Sequence, residues 1–392
     1  YCTNIAMKLA KQLKINPMEV ADKILLKIEK SDMYESSVAK PGYINFIIKN
    51  AQKNNIIKEI LNSNNLLESF KTDEPKKINI EFISANPTGP LHVGHGRGAV
   101  YGNIIAKFLE IQGHNVTKEY YLNDRGNQIE TLVSSVFAKI DNRWAANKDD
   151  LYQGEYIDTI AKKLKAQLKD ILFIYDVLSN KVDESMLNIK DRSLSSKASQ
   201  KYRKLTELIL EMIIDLIRIP LEKLNIKFDN WFSEESDIRT EVISEILEKL
   251  KTSGHTIQKD GALMLEADEP RVLIKSDGNF TYFLTDLAYH DLKMNEYDKV
   301  INIWGADHHG YVPRMITGLN ALGHDTNKLD IHLIQFANLF RGKEKVSMST
   351  RKGEFVELET LRKEIGNDAM NFFYLTKNKD QHLDFDLNLA IT

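Results

Sequence analysis

Hydrophobic residues near the start of the chain recur first with the period of a helix and then with the period of a strand. Apolar side chains repeat at helical spacing over residues 5–13. Asn16-Pro17 then places a capping residue before a proline, which predicts a second helix ending near Ile28. Alternating apolar residues up to Ile48 predict strands. These elements predict a small α+β domain over residues 1–74, ending in a charged linker.

The next part of the chain carries a strand, a helix and a second strand. Residues 78–82 alternate as a strand, and a turn rich in proline and glycine follows. Apolar residues between 100 and 109 lie on one helical face that stops at Gly113, and residues 116–122 again show a strand pattern. This order predicts a βαβ unit and therefore a parallel sheet.

The remaining chain is predicted to hold a helical insertion and the rest of the sheet. The insertion is expected over about residues 128–260. Strand patterns return at 262–265, 271–275, 299–304 and 332–337, with helical patterns at 284–291 and 311–322. We therefore predict an α/β domain over residues 75–360, with a doubly wound nucleotide-binding sheet that the insertion splits. Residues 361–392 are expected to begin a link to a further domain.

Composition narrows the class of protein. The 392 residues, with 42% hydrophobic and 28% charged side chains, are typical of a soluble globular protein of roughly two or three domains. No apolar run is long enough to cross a bilayer, so we expect no membrane segment. A net charge of -3 means that a polyanionic partner must be bound by a local basic surface. The single cysteine, Cys2, excludes an internal disulfide and favours a reducing cytoplasm.

The most informative stretch starts at Glu81 and runs through a turn with two histidines. His92 and His95 stand three residues apart among glycines that include Gly89 and Gly94. Glycines let a backbone approach a ligand closely, and a helix N-terminus offers free N–H groups to phosphate. Histidines placed there can donate hydrogen bonds to phosphoryl oxygens as charge develops. The stretch predicts nucleotide activation; without a third ligand or an intervening glutamate, we expect no metal site.

The segment His92-Val93-Gly94-His95 resembles the HIGH motif of class I aminoacyl-tRNA synthetases, and its flanks are similar to those of arginyl-tRNA synthetases. Residues 305–310 and 347–353 follow in the order of that family and extend the resemblance over nearly the whole chain. The resemblance implies a split Rossmann-like (HUP-type) parallel-sheet catalytic domain with a helical insertion, preceded by a small α+β domain that contacts tRNA. It also implies that the sequence is truncated at both ends, with an incomplete N-terminal domain and without a helical anticodon-binding domain.

The resemblance further implies an activity. L-Arginine would be activated with ATP and Mg²⁺ to arginyl-adenylate and then transferred to tRNA(Arg), in the cytoplasm, by an enzyme that we expect to be a monomer. The substrate carboxylate is already ionised, so catalysis would rest on alignment and on stabilising charge. Two alternatives stay open, namely a His-x-x-His nucleotidylyltransferase and a non-catalytic tRNA-binding relative of the synthetases.

Site residues follow from the same resemblance. A guanidinium requires carboxylates and neutral acceptors in a fixed geometry. The residues implied as arginine ligands are Glu81, Ser84, Asn86, Tyr282, Asp286 and His308. The residues implied for ATP binding are Gly89, Gly94, His92, His95, Gly305, Asp307, His308, Met348 and Ser349. The residues implied for catalysis are His92, His95, Arg351 and Lys352.

The basic loop over residues 341–353 departs from the family pattern. A KMSKS loop presents lysine to the ATP phosphates, whereas Ser347 and Thr350 occupy the two lysine positions here. Arg351, Lys352 or Lys345 could supply the charge instead, because phosphate neutralisation needs positive charge within reach more than one residue type. This departure is what motivates the non-catalytic alternative.

Overall fold

The structure is a computed structural model that describes residues 1–62, 66–140, 151–167, 197–342, 344–345 and 355–391. The chain forms two compact units, Tyr1–Lys71 and Thr72–Thr392. The division falls at Lys71, within the charged stretch expected to be a linker. In the described ranges no helix is both long and apolar enough to cross a membrane.

The first unit is a small α+β domain. Its elements are β1 (Cys2–Thr3), α1 (Ile5–Leu13), α2 (Pro17–Leu25), β2 (Tyr34–Ala39), β3 (Tyr43–Ile48), α3 (Asn50–Asn62) and a 3-10 turn at Leu66–Phe70. The strands form an antiparallel sheet in the order β1-β3-β2. The Asn16 side chain accepts the Met18 N–H and so caps α2, as the sequence predicts. That helix ends at Leu25, about one turn before the predicted end.

The second unit contains the remaining elements. Its strands are β4 (Lys77–Phe82), β5 (Asn115–Leu122), β6 (Asn230–Ser233), β7 (Thr256–Lys259), β8 (Ala262–Leu265), β9 (Arg271–Ile274), β10 (Lys299–Gly305), β11 (Leu329–Ile334), β12 (Ala337–Arg341), β13 (Glu344–Lys345) and β14 (Leu383–Asp386). Its helices are α4 (Val93–Ile111), α5 (Asn127–Ile140), α6 (Glu155–Gln167), α7 (Lys197–Lys223), α8 (Glu234–Asp237), α9 (Thr240–Thr252), α10 (Tyr282–Glu296), α11 (Val312–Ala321), α12 (Leu358–Ile365), α13 (Asn367–Leu375) and α14 (Leu387–Ile391).

A five-stranded parallel sheet lies at the centre of this unit and confirms the predicted α/β class. Its strands follow the order β11-β10-β4-β5-β6, and all four neighbouring pairs are parallel. Strand β4 is central, and the chain continues from it to β5 on one side and later to β10 on the other. Ligands bind at the carboxyl ends of strands where such an order diverges. The sheet therefore points to the residues after β4.

Two predicted segments have different extents in the structure. The sheet resumes with β6 at Asn230, so the helical insertion ends well before residue 260. Residues 230–233, Asn-Trp-Phe-Ser, do not alternate apolar and polar side chains, so periodicity gave no sign of this strand. The strand predicted at 332–337 is two strands in two sheets, because the chain bends at Gln335: the Gln335 N–H donates to the Lys379 carbonyl, at 2.9 Å, and its own carbonyl accepts from Arg97, at 2.7 Å.

Residues 361–391 pack into the second unit, although the sequence suggests a link to another domain. Leu361, Met370 and Phe385 are buried in the same apolar cluster as the residues of β4 and α4. Strand β14 pairs in parallel with β12. The Tyr374 hydroxyl donates to the Val93 carbonyl, at 2.6 Å, at the first residue of α4. This segment thus supports the start of α4.

Candidate functional site

The two histidines form a reciprocal cap at the N-terminus of α4. His92 is the capping residue, and its Nδ1 accepts the Gly94 N–H at 3.1 Å. The Nδ1 atom of His95 faces the His92 N–H at 3.3 Å, and the two rings stack with centroids 3.8 Å apart. Since Nδ1 acts as the acceptor in both rings, the proton of each neutral ring lies on Nε2. The pair therefore offers two N–H donors.

Burial keeps both histidines uncharged at neutral pH. It lowers the pKa of His95 to about 3, with a further contribution from His92. It also lowers the pKa of His92. Neutral imidazoles with a protonated Nε2 can stabilise growing charge on an oxygen through hydrogen bonds, without themselves exchanging protons. The geometry suits donation to a phosphoryl group better than general acid catalysis.

The chain that follows the basic loop is hydrogen-bonded to the histidine turn. The Val93 N–H donates to the Val356 carbonyl at 3.1 Å, and the Leu358 N–H donates to the Leu91 carbonyl at 2.8 Å. The Phe355 ring stands edge-on to His92, with centroids 6.1 Å apart. The chain from Phe355 to Leu358 is thus held against the histidine turn. The predicted loop residues Met348, Ser349, Arg351 and Lys352, together with Ser347 and Thr350, lie outside the described residues.

A pocket of about 170 Å³ opens beside this turn. Helix α6 and the chain before it contribute two tyrosines to the wall, and the Tyr156 hydroxyl donates to the Thr88 carbonyl at 2.9 Å. A Cβ at Gly89 would stand 3.1 Å from the Tyr156 ring, so only glycine fits there without a shift. Among the predicted ligands, the structure places Asn86, Gly89, His92 and His95 in the lining of this pocket.

A buried carboxylate ends strand β4 on the same edge. Glu81 is 5% exposed; its Oε1 accepts the Ser84 hydroxyl at 2.9 Å, and its Oε2 accepts Lys293 Nζ at 2.9 Å. Ile83 and Ser84 have φ values of 71° and 41°, which are strained for residues other than glycine. This bend turns Ser84 back onto Glu81, where its Oγ also accepts the Tyr121 N–H at 3.1 Å. The Tyr289 hydroxyl also donates to Glu81 Oε2, at 3.2 Å. A carboxylate has about four acceptor sites, so roughly one remains.

Asp286 is the second carboxylate of the predicted arginine pocket, and it lies in the second turn of α10. Burial raises its pKa to about 7, and the charges of Glu234 and Glu81 add to that rise, although a hydrogen bond from the Tyr311 hydroxyl acts in the opposite direction. Tyr282, four residues earlier, is 72% exposed. An acid whose pKa lies near neutral pH beside other ionisable groups is typical of a functional site.

The sequence did not single out three further charged residues beside Glu81 and Asp286, namely Arg125, Glu234 and Lys293. We call these five residues the acidic region. Arg125, after β5, forms an ion pair with Glu234, after β6, and also donates to the Thr285 hydroxyl at 3.1 Å. Lys293 lies seven residues after Asp286, about two turns along the same helix face, so helical spacing was the only signal that could have indicated it. Arg125 and Glu234 gave no such signal, because they meet only through the packing of two strand ends.

The predicted nucleotide ligands after β10 lie at the same edge of the sheet. Gly305 precedes a 3-10 turn at Ala306–Tyr311, and both Asp307 and His308 are exposed there. The His308 ring is 6.0 Å from the Trp304 ring. Their side chains are therefore accessible to a ligand. Across the described ranges, no group of three or more His, Cys, Asp or Glu side chains could hold a metal ion.

Comparison with known proteins gives consistent matches. The family described as tRNA synthetases class I (R), catalytic domain, matches residues 56–390, and the family described as Arginyl tRNA synthetase N terminal domain matches residues 1–48. The arginine--tRNA ligase of Thioalkalivibrio sulfidiphilus is 39% identical over 411 residues, covering 100% of this chain and 70% of that protein. That of Coxiella burnetii (strain CbuG_Q212) is 40% identical, covering 100% and 69%. The Thermus thermophilus arginyl-tRNA synthetase structure has a TM-score of 0.64 at 17% identity, covering 98% of this chain and 71% of that one, and supports the fold alone.

Proposed function

The chain belongs to the class I arginyl-tRNA synthetase family, and we propose on that premise that it joins L-arginine to tRNA(Arg) at the expense of ATP. It is an arginine–tRNA ligase, as its curated relatives are named. A carboxylate oxygen of arginine attacks the α-phosphorus of ATP, and the bond to pyrophosphate breaks. A terminal hydroxyl of the tRNA then attacks the arginyl carbonyl, and AMP leaves.

One observation carries the proposal. The chain leaving the central strand β4 supplies both Glu81, in the acidic region, and the turn that ends in the neutral His92–His95 pair. Their Nε2–H groups would hydrogen-bond the phosphoryl oxygens as negative charge builds there. The arginine carboxylate needs no base because it is already ionised. The protein contributes alignment and electrostatic stabilisation.

The substrate-binding roles are proposed residue by residue. Asp286 and Glu81 would accept the guanidinium, with Ser84 orienting Glu81. The other proposed arginine contacts are Asn86, Tyr282 and His308, and the proposed ATP contacts are Gly89, Gly94, Gly305, Asp307, His308, Met348 and Ser349. Arg351 and Lys352 are proposed to neutralise phosphate charge. We propose that Mg²⁺ arrives bound to the nucleotide.

The setting of the reaction is likewise a proposal. The first unit would contact tRNA(Arg), and the protein would act as a monomer in the cytoplasm. A nucleotidylyltransferase is disfavoured, because the match to arginine–tRNA ligases runs along the whole chain. A non-catalytic relative is disfavoured because both histidines and the carboxylates are present.

Charging assays test the proposal directly. Bulk tRNA is incubated with ATP, Mg²⁺ and each of the twenty amino acids in turn, and arginine alone is expected to be attached. His95→Ala should lower kcat by about 100-fold or more, because a donor to the developing charge is lost, while the KM for arginine stays near that of the wild type. Attachment of lysine or glutamine, or tRNA binding without any charging, would overturn the assignment.

A further inference from the structure

Glu81 and Asp286, the two carboxylates proposed to bind the guanidinium, differ in how the protein holds them. Glu81 forms an ion pair with Lys293 at 2.9 Å. Asp286, by contrast, accepts a hydrogen bond from Tyr311 and takes part in no ion pair with the residues that the structure describes. Glu81 is thus held in an ion pair, whereas Asp286 is held by a hydrogen bond. Such a difference commonly separates two roles in one site.

Lys293 is fixed from every side. It is 3% exposed, and its Nζ lies 2.9 Å from Glu81 Oε2, 2.9 Å from Asn302 Oδ1 and 3.1 Å from the Tyr289 oxygen. An ammonium has three N–H donors, so these three contacts use all of them. The same ammonium stands 3.8 Å from Glu119 Oε1 and 4.4 Å from the Tyr289 ring centre. It has no freedom to leave Glu81 for another partner.

The contacts around Lys293 extend to the backbone of Asp286. The Asn302 amide donates to His290 Nε2 at 2.6 Å, and His290 Nδ1–H donates to the Asp286 carbonyl at 2.7 Å. Burial lowers the pKa of His290 to about 4, with a contribution from the Lys293 charge, so that the ring is neutral and can donate at one nitrogen and accept at the other. The Lys293 ammonium is therefore bonded directly to Glu81 and is linked to the Asp286 backbone through Asn302 and His290.

Stability alone is a weak reason for this lysine. A buried ion pair often contributes no more than apolar side chains of the same volume would, because both charges lose their hydration. What the pair does achieve is a fixed carboxylate. Burial by itself would raise the pKa of Glu81, yet Lys293 and the hydrogen bonds to Lys293 and Ser84 hold it below its ordinary value.

We propose that Lys293 is a positioning residue for arginine selection, which locks Glu81 as an ionised, oriented acceptor while Asp286 supplies the carboxylate that pairs with the substrate's charge. This inference rests on the proposed function. Glu81 then accepts a hydrogen bond from a guanidinium N–H group in a fixed direction, and Asp286 pairs with the positive charge of the guanidinium. Lys293 itself does not touch the substrate.

Kinetics of the full chain test this assignment. Lys293→Met should raise the KM for arginine by about 10- to 100-fold, the usual effect of losing one charged hydrogen bond. Its kcat at saturating arginine and its KM for ATP should stay within about threefold of the wild type. Lys249→Met is the matched control. Lys249, on α9, forms a 3.0 Å ion pair with Asp291, which lies on the same helix as Lys293. Loss of this ion pair should leave the arginine KM unchanged.

A double variant separates positioning from folding. Lys293→Met leaves Glu81 and Glu119 without their shared cation, which destabilises the core; adding Glu119→Gln removes one of those charges and should restore Tm. If Lys293 serves stability only, this double variant regains the arginine KM together with Tm. We expect Tm to recover while the KM stays high. An arginine KM in the double variant within about threefold of the wild type, or below it, overturns the inference. A wild-type chain that fails to attach arginine overturns the proposed function instead.

Discussion

The affinity for arginine should depend on pH through one side chain, Asp286. Its pKa in the free protein is raised to about 7, chiefly by burial. A bound guanidinium stabilises the carboxylate form, so arginine binding expels a proton from any molecule in which Asp286 is protonated. Binding must therefore strengthen as the pH rises through 7 and reach a plateau above it.

The size of the effect follows from the pKa. If only the ionised form binds, the apparent KM exceeds its limiting value by the factor 1 + 10^(pKa − pH). With a pKa of about 7, that factor is about 11 at pH 6 and about 1.1 at pH 8. The KM for arginine should fall about tenfold between these two values. Burial lowers the pKa of His95 to about 3, well below this range, and also lowers the pKa of His92 from its ordinary value.

The assay is the initial rate of tRNA charging against arginine concentration, at saturating ATP and tRNA, in steps from pH 6 to pH 8. The KM for ATP measured in the same buffers corrects for ionisation of the nucleotide. Tyr311→Phe provides an internal check. The Tyr311 hydroxyl donates to Asp286 and holds its pKa down, so this variant should shift the break in the profile to higher pH. An arginine KM that is flat from pH 6 to pH 8, or a break that Tyr311→Phe leaves in place, refutes the reasoning.

Three further predictions concern stability and are checked by denaturant unfolding. Gly98→Ala should raise the free energy of unfolding by about 0.5–1 kcal/mol, because the added Cβ meets nothing within 4 Å. Gly102→Ala should lower it by about 1–3 kcal/mol, because the added Cβ would stand 2.3 Å from a ring carbon of Phe82. A destabilising Gly98→Ala with a stabilising Gly102→Ala would contradict this packing. Asn79→Leu should stabilise the protein by about 1–2 kcal/mol, since its buried amide has no hydrogen-bond partner in the described structure. Asn302→Leu, on the neighbouring strand, should destabilise the protein, because the Asn302 amide bonds to the buried side chains of Lys293 and His290. An equal loss of unfolding free energy in Asn79→Leu and Asn302→Leu would count against this account. Arg97→Lys should cost at least about 2 kcal/mol, because a lysine cannot reach the four backbone carbonyls that the guanidinium contacts at 2.7–3.2 Å; unchanged stability would refute that role.

Local signals in the sequence were enough to locate the central βαβ unit and the histidine turn. The alternation before Phe82, the proline and glycine after it and the helical face up to Leu109 each act within a few residues, so a single segment carries the information. Strand β6 escaped this reading. Its residues do not alternate apolar and polar side chains, and they are recognisable as a strand only because they pair with β5.

The tertiary structure determines which charged groups of the acidic region pair with one another and which carboxylate has a raised pKa. Residue types and the family resemblance indicated Glu81 and Asp286, but not which of them carries an internal cation. Lys293 reaches Glu81 across 212 residues of chain, and Arg125 reaches Glu234 across 109. The raised pKa of Asp286 depends on its removal from water and on the charges of Glu234 and Glu81, which distant segments of the chain bring near it. Periodicity and turn chemistry are properties of neighbours along the chain, whereas burial and charge pairing exist only once distant segments meet.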